Sequence, residues 1–286
     1  MSRPDRRPLD RSPVRRALAC VVAAFSIAAA CAGAPACHAA PIDTDGPDFV
    51  ESSEVVGAGR FQFEAGLARE RDRGHNVSRS STPTLLRFGL NDSVEVRIET
   101  AGRLGASSIA SSSANSTGNS APANATSDMA DTAIGLKWHS QDRDAATATP
   151  AVSWILHADM PSGSGAARGN GVRPSLRSVI TYELAHDWSL GLMPGIKRDT
   201  TARGERYTSA ILGIVAGKRL SDKLRVFAEL AAPQIARAGN GGVQMSWDIG
   251  AAYLLDNDWQ IGIRAAVRAN RNTPDNAVLL ALSGRF

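Results

Sequence analysis

His157 and Asp159 stand at a spacing that suits acid–base chemistry. They lie two apart in a stretch of alternating polarity, so both side chains share a face. His75 lies in a polar segment that could approach them. A histidine oriented by a carboxylate is the base arrangement of hydrolases. The same pair at this spacing also fits a purely structural role. His139 and His186 stand near predicted turns and read as interface residues. The run Gly163-Ser164-Gly165-Ala166-Ala167-Arg168-Gly169 is not a phosphate loop, because it lacks a Lys-Ser/Thr ending and a following helix. The three cysteines, Cys20, Cys31 and Cys37, all precede residue 40. Cysteine-built zinc or iron–sulfur sites are therefore excluded from the rest of the chain. The sequence predicts no catalytic residue, metal or cofactor with any strength.

Charges placed opposite apolar residues are far more numerous. Val94, Val96 and Ile98 oppose Glu95, Arg97 and Glu99. Leu224, Val226, Ala228 and Leu230 oppose Arg225, Phe227 and Glu229. Trp259, Ile261, Ile263, Ala265 and Val267 oppose Arg264 and Arg268, and Val278 to Phe286 oppose Arg285. Period two is the strand period; a helix would repeat its apolar residues at i, i+3 and i+4. Fifteen charges fall on the polar faces: Arg60, Glu64, Arg87, Glu95, Arg97, Glu99, Lys137, Arg177, Glu183, Arg225, Glu229, Asp248, Arg264, Arg268 and Arg285.

The elements that carry them are twelve predicted strands: 55–68, 82–90, 94–102, 130–139, 150–160, 174–184, 188–196, 207–220, 224–232, 243–254, 259–268 and 277–286. Strand 207–220 is apolar on both faces. Short turns such as Asn91-Asp92-Ser93, Ala185-His186-Asp187 and Ser221-Asp222-Lys223 alternate with longer Ser-, Gly- and Asn-rich loops, with 140–149 counted as a long turn. The low-complexity stretch Ser107–Ser127 is one of the loops. An even strand count with sorted connections is the pattern of an outer-membrane barrel. A soluble sandwich mixes loop lengths at both ends. The fold class is thus all-β: a transmembrane, antiparallel, up-and-down barrel of about twelve strands, in a bacterial outer membrane.

Aromatic placement agrees. Phe88, Trp138, Tyr182, Trp188, Tyr253, Trp259 and Phe286 fall near the turn end and on the apolar face, as a lipid-facing girdle does. Phe61, Phe63, Trp154 and Trp247 are the expected members of the opposite girdle. With apolar faces toward outer-membrane lipid, the fifteen charges face a wet or ion-paired lumen; an Arg or Lys at the lipid midplane costs about 2–4 kcal/mol. Eight strands give a filled interior and sixteen an aqueous channel. Twelve leaves both a conducting and a braced, plugged lumen open.

Residues 1–39 read as a cleaved signal peptide, with an Arg-rich start, an apolar run from Ala17 to Ala32 and small residues to Ala40. Removing its six Arg and two Asp from the 32 basic and 28 acidic residues leaves 26 of each. The net charge of +4 thus belongs to the leader, and nothing points to nucleic acid. Residues 40–54 are acidic (Asp43, Asp45, Asp48, Glu51, Glu54) and either hang in the periplasm or enter the lumen as a plug. The barrel is expected over 55–286.

Several short motifs add a resemblance. They are Leu86-Arg87-Phe88-Gly89-Leu90-Asn91-Asp92 running into Val94-Glu95-Val96-Arg97, Ile134-Gly135-Leu136-Lys137-Trp138, Met160-Pro161-Ser162-Gly163, Val226-Phe227-Ala228-Glu229-Leu230, and Asp248-Ile249-Gly250 leading to Tyr253. In these the chain resembles the outer-membrane barrel family of the meta-pathway of phenol degradation, whose members are labelled transporters. The family pattern has an acidic residue near position 262, where this chain has Gly262. The resemblance implies passive passage of small organic molecules, aromatic ones included. A terminal strand ending in Phe286 is similar to the signal read by the bacterial barrel-assembly machinery. Two alternatives stand beside the channel: a structural or surface-interaction barrel, and a hydrolase at the rim.

Overall fold

Strand pairing closes the chain on itself. The computed structural model describes residues 40–108, 126–144, 146–201 and 203–286. The predicted signal peptide and most of the low-complexity loop lie outside them. Fifteen strands follow in order: β1 (Phe61–Asp72), β2 (Val77–Ser81), β3 (Thr84–Gly89), β4 (Val94–Thr100), β5 (Arg103–Ser108), β6 (Thr126–Met129), β7 (Thr132–Gln141), β8 (Ala151–Met160), β9 (Arg173–Leu184), β10 (Trp188–Thr200), β11 (Arg206–Arg219), β12 (Leu224–Ile235), β13 (Val243–Leu254), β14 (Trp259–Arg268) and β15 (Asn276–Arg285). All neighbours are antiparallel, and β15 pairs back onto β1 from Gln62↔Arg285 to Arg71↔Asn276.

The fifteen strands make twelve staves. β2 and β3 both pair with β1 and are one stave broken at Thr82-Pro83. Proline brings no amide to the ladder, so the break falls there. β4 and β5 are separated by Ala101-Gly102, where Gly102 has φ +70. β6 and β7 part at Ala130-Asp131. At the other end the connections are tight: His186 and Asp187 both have φ 60 as they join β9 to β10, which is the backbone hand hairpins favour. In the longer turn between β7 and β8, Asp144 accepts bonds from the Thr147 hydroxyl and the Ala146 amide. Those bonds hold its carboxyl below the usual carboxylate range.

Among the described residues no helix is long and apolar enough to cross a membrane. Crossing by strands requires a sheet without edges, since an unpaired amide in hydrocarbon costs several kcal/mol. The β1–β15 seam supplies that closure. Leu67, Ile134, Leu156, Ile196, Ile249, Ile263 and Leu280 are exposed on the outside, while Arg87, Glu95, Arg97 and Lys137 are almost fully buried. Polarity is therefore inverted relative to a soluble protein.

Two sequence expectations shift. The first strand begins at Phe61 rather than residue 55, because 55–60 ends the segment that enters the barrel and turns at its mouth into the wall. Starting there, β1 places Phe61 opposite Phe88, and Phe63 packs edge-on against Trp259 with ring centroids 5.7 Å apart. Trp154 pairs with Trp138. These three aromatics thus sit at the turn end, not at the opposite rim; only Trp247 lies in the loop-side half of its strand.

Candidate functional site

The lumen is occupied by the chain's own N-terminal segment. It enters at the turn-side mouth, where the Ile42 amide donates to the Asn257 carbonyl at 2.7 Å and Arg285 donates to the Ala40 carbonyl at 2.7 Å. It leaves at the same mouth, where the Gly59 amide donates to Gly89 at 2.9 Å. Between these points it crosses the turn-side half of the barrel.

Its two faces match the two arcs of the wall. On the ionic arc, Arg87 pairs with Glu95 at 2.8 Å and Glu64 at 3.2 Å, and donates to the carbonyls of Asp43 and Glu54. Asp45 pairs with Arg97 at 2.5 Å and Lys137 at 2.8 Å. Lys137 also donates to the Ser52 carbonyl at 2.8 Å. Glu51 pairs with Arg97 at 2.8 Å and with Arg177. Arg87, Arg97, Lys137 and Arg177 carry two more positive charges than Glu64 and Glu95 can balance. Asp45 and Glu51 of the segment bring that cluster to neutrality, which is what lets charges persist in a site this dry.

The wall carboxylates also hold the segment's backbone. Glu229 accepts from the Phe49 and Val50 amides at 2.8 and 2.6 Å, Glu64 from Asp45 and Gly46, and Glu95 from Val56 at 2.9 Å. Arg225 pairs with Asp48 at 2.9 Å. On the opposite arc apolar inward residues stand among Ser153, Arg177, Ser209, Arg225 and Glu229. Ile155, Val179, Met193, Ile211, Val215 and Phe227 form one cluster with Val50, and Phe49 packs against it.

Glycines make room for this occupant. A Cβ on Gly262 would lie 2.8 Å from the Pro47 ring, and one on Gly213 would lie 2.5 Å from Val50. A Cβ on Gly89 would meet the Gly57 carbonyl at 1.7 Å. Gly262 thus receives a proline of the segment.

The remaining predicted lumen charges lie beside or beyond the segment. Asp248 and Arg264 pair with each other at 3.4 Å, and Arg268 pairs with Asp275 at 2.8 Å near the loop end. Glu183 joins Arg143 and Arg219 on the turn-side rim. Arg60 precedes β1 and is half-buried. Glu99 lies 3.5 Å from His157 above the segment. Of the seven predicted girdle residues, Phe88, Trp138, Trp188, Tyr253 and Phe286 are exposed, while Tyr182 and Trp259 are half-buried. Lys218 stands 5.5 Å from the Trp188 ring centre.

His157 and Asp159 turn to different partners. Arg177 donates to His157 Nδ1 at 3.2 Å, so that nitrogen's lone pair is engaged and the ring is a poor base. Asp159 pairs with Lys197 at 3.0 Å and Arg173 at 3.5 Å. His75 binds Asp72 in its own loop. His139, read from the sequence as an interface residue, turns inward to the Ser53 carbonyl at 2.8 Å.

Sequence reasoning identified the ionic arc but missed the apolar one. The signal was present in strand 207–220, whose two apolar faces serve lipid on one side and Val50 on the other.

A closed antiparallel barrel with an apolar exterior and an ionic interior is an outer-membrane β-barrel. This chain belongs to the family described as "Putative MetA-pathway of phenol degradation", whose model matches residues 44–286 and so takes in the lumen segment as well as the staves. An outer-membrane channel from Pseudomonas putida F1 is similar at TM-score 0.61 and 12% identity, over 84% of this chain and 99% of that one. The KdgM porin is similar at TM-score 0.50 and 9% identity, over 79% of this chain and 99% of that one. At these identities the likeness is one of fold. No curated protein matches the chain.

Proposed function

We propose that this barrel is a passive outer-membrane channel for small organic molecules, aromatic ones included, with residues 40–58 as its plug. The observation that carries the reading is the division of the lumen wall. An ionic arc keeps water and polar groups in the path, and the arc from Ile155 to Phe227 offers apolar surface to a ring or short chain. Of the segment, Val50 lies in that apolar patch and Phe49 packs against it. Supporting the same reading, two solved structures with this fold are a channel and a porin. The channel performs no chemical step. The terminal strand ending in Phe286 is its address for the barrel-assembly machinery.

The plug itself favours a second reading, a structural barrel sealed for good. Planar-bilayer conductance and liposome uptake of a small aromatic acid separate the two. They are measured on residues 40–286 and on a form lacking 41–53. Conductance and uptake in the truncated form, with little in the full form, are expected. Silence in both, with a folded heat-modifiable barrel on a gel, refutes the channel.

A further inference from the structure

The outward face of the strands carries charge of one sign only. Among the described residues, the outward strand positions hold no Asp or Glu. They hold six cations: Arg69, Arg71, Arg103, Arg198, Arg206 and Lys218. Lys218 is at the turn end over Trp188. The five arginines are all at the loop end, and all five are exposed.

Their height is set by the strands. Arg69 and Arg71 lie eight and ten residues beyond Phe61 on β1. At about 3.3 Å per residue and a tilt of about 40°, they stand roughly 20 and 25 Å above the turn-side aromatics. Arg198 lies ten residues beyond Trp188 on β10, at the same level. An apolar band is about 25 Å tall, so these side chains emerge where hydrocarbon gives way to headgroups. Exposed Leu67 and Ile196 lie directly below them.

The arginines are grouped. Arg69 and Arg71 are successive outward residues, roughly 7 Å apart. Arg103 lies two staves away on β5, and small residues (Ser80, Ser78, Gly105, Ser107) fill the surface between. On the opposite wall, Arg198 pairs with Thr208 and Thr200 with Arg206, so the two arginines are diagonal neighbours, also about 7–8 Å apart. Arg69, Arg103 and Arg198 donate to hydroxyls, those of Ser78, Ser127 and Thr208. A guanidinium at a headgroup interface gains most from a bidentate phosphate.

We propose that Arg69, Arg71 and Arg103, and across the barrel Arg198 and Arg206, bind the phosphates of the glycolipid that forms the outer leaflet, with lipid A as the contacting part. Snorkelling alone would load the outward positions of both rims equally, and at the turn end those positions hold aromatics and one lysine instead. The site is independent of whether the lumen conducts.

The test uses the whole mature chain, residues 40–286, refolded in neutral vesicles. Titrants are bis-phosphorylated lipid A, dephosphorylated lipid A, phosphatidylglycerol and inorganic phosphate. The readout is the temperature at which the heat-modifiable band is lost. Half-saturation with bis-phosphorylated lipid A is expected at a concentration at least tenfold below that for the other lipids, with inorganic phosphate inert. The triple variant R69S/R71S/R103S is expected to lose most of that preference, and the triple Lys variant to keep part of it. If the Ser variant does not fold, R198S/R206S reads the other group. Equal half-saturation for phosphorylated and dephosphorylated lipid A, or for phosphatidylglycerol, overturns the proposal. So does an unaltered preference in both Ser variants, or a response to inorganic phosphate alone.

Discussion

Neutralising Asp45 tests whether ion pairs hold the plug in place. Asp45→Asn preserves size and an oxygen for the Ser52 amide, which donates to Oδ1 at 3.0 Å. It removes the charge that faces Arg97 at 2.5 Å, Lys137 at 2.8 Å and Arg87 at 3.7 Å. Breaking a buried pair by removing one partner costs about 3–5 kcal/mol. With the segment in place Arg97 and Lys137 stay buried without that partner, and only its withdrawal admits water to them. At 1.4 kcal/mol per factor of ten, the withdrawn population should rise by about 100-fold to a few thousand-fold. Residues 40–286 hold no cysteine, which supplies a clean probe. Ser53 is 3% exposed, its side chain is not among the contacts that hold the plug, and Ser53→Cys can be labelled with a maleimide only when the segment leaves the lumen. When exchange is fast, the labelling rate follows the open population. A rate within threefold of the Ser53→Cys parent, in a barrel that still shows heat modifiability, would refute the idea that these pairs retain the segment.

Further predictions use the same protein. Gly262→Val places side-chain atoms against the Pro47 ring, and should raise Ser53→Cys labelling at least tenfold, whereas Gly239→Ala, with open space around it, should leave it unchanged. Glu229→Gln weakens the carboxylate that accepts both the Phe49 and Val50 amides; hydrogen bonds to charged groups contribute about 1.5–3 kcal/mol, so at least a tenfold rise in labelling is expected. The form lacking 41–53 leaves Arg87, Arg97, Lys137, Arg177 and Arg225 facing Glu64, Glu95, Glu99 and Glu229, so its reversal potential in a salt gradient should show a mild anion preference. Ile263→Arg puts a charge near the lipid midplane and should destabilise the folded barrel by about 2–4 kcal/mol in urea titrations in vesicles.

The barrel was legible because its pattern is repeated around the wall. Each stave alternates, each turn is short, and each error would expose a charge to lipid. The aromatic turn-side girdle was legible for the same reason. The plug was half legible: five acids between Asp43 and Glu54 mark it as unusual, but nothing local says where they dock. Their partners, from Glu64 to Arg285, are brought together only by closure. Arg60 and the start of β1 were misplaced because Ser53 to Arg60 also alternates loosely, and no period distinguishes a strand in the wall from an extended segment beside it. Inward glycines such as Gly213 and Gly262 read as neutral alternation, whereas in three dimensions they are the space left for Val50 and Pro47.

The β1–β15 seam also constrains how the molecule can be made. It joins Gln62 to Arg285, residues of the first and last strands, and contacts this distant in sequence form late and slowly. Arg285 also fastens the Ala40 carbonyl, so the plug's first anchor does not exist until the last strand has been synthesised and placed. An emerging chain therefore carries an acidic, partly apolar leader with no wall to receive it. The segment must either wait in the periplasm or be enclosed as the seam zips. Biogenesis, rather than any solute, would then set the first conformation of the lumen.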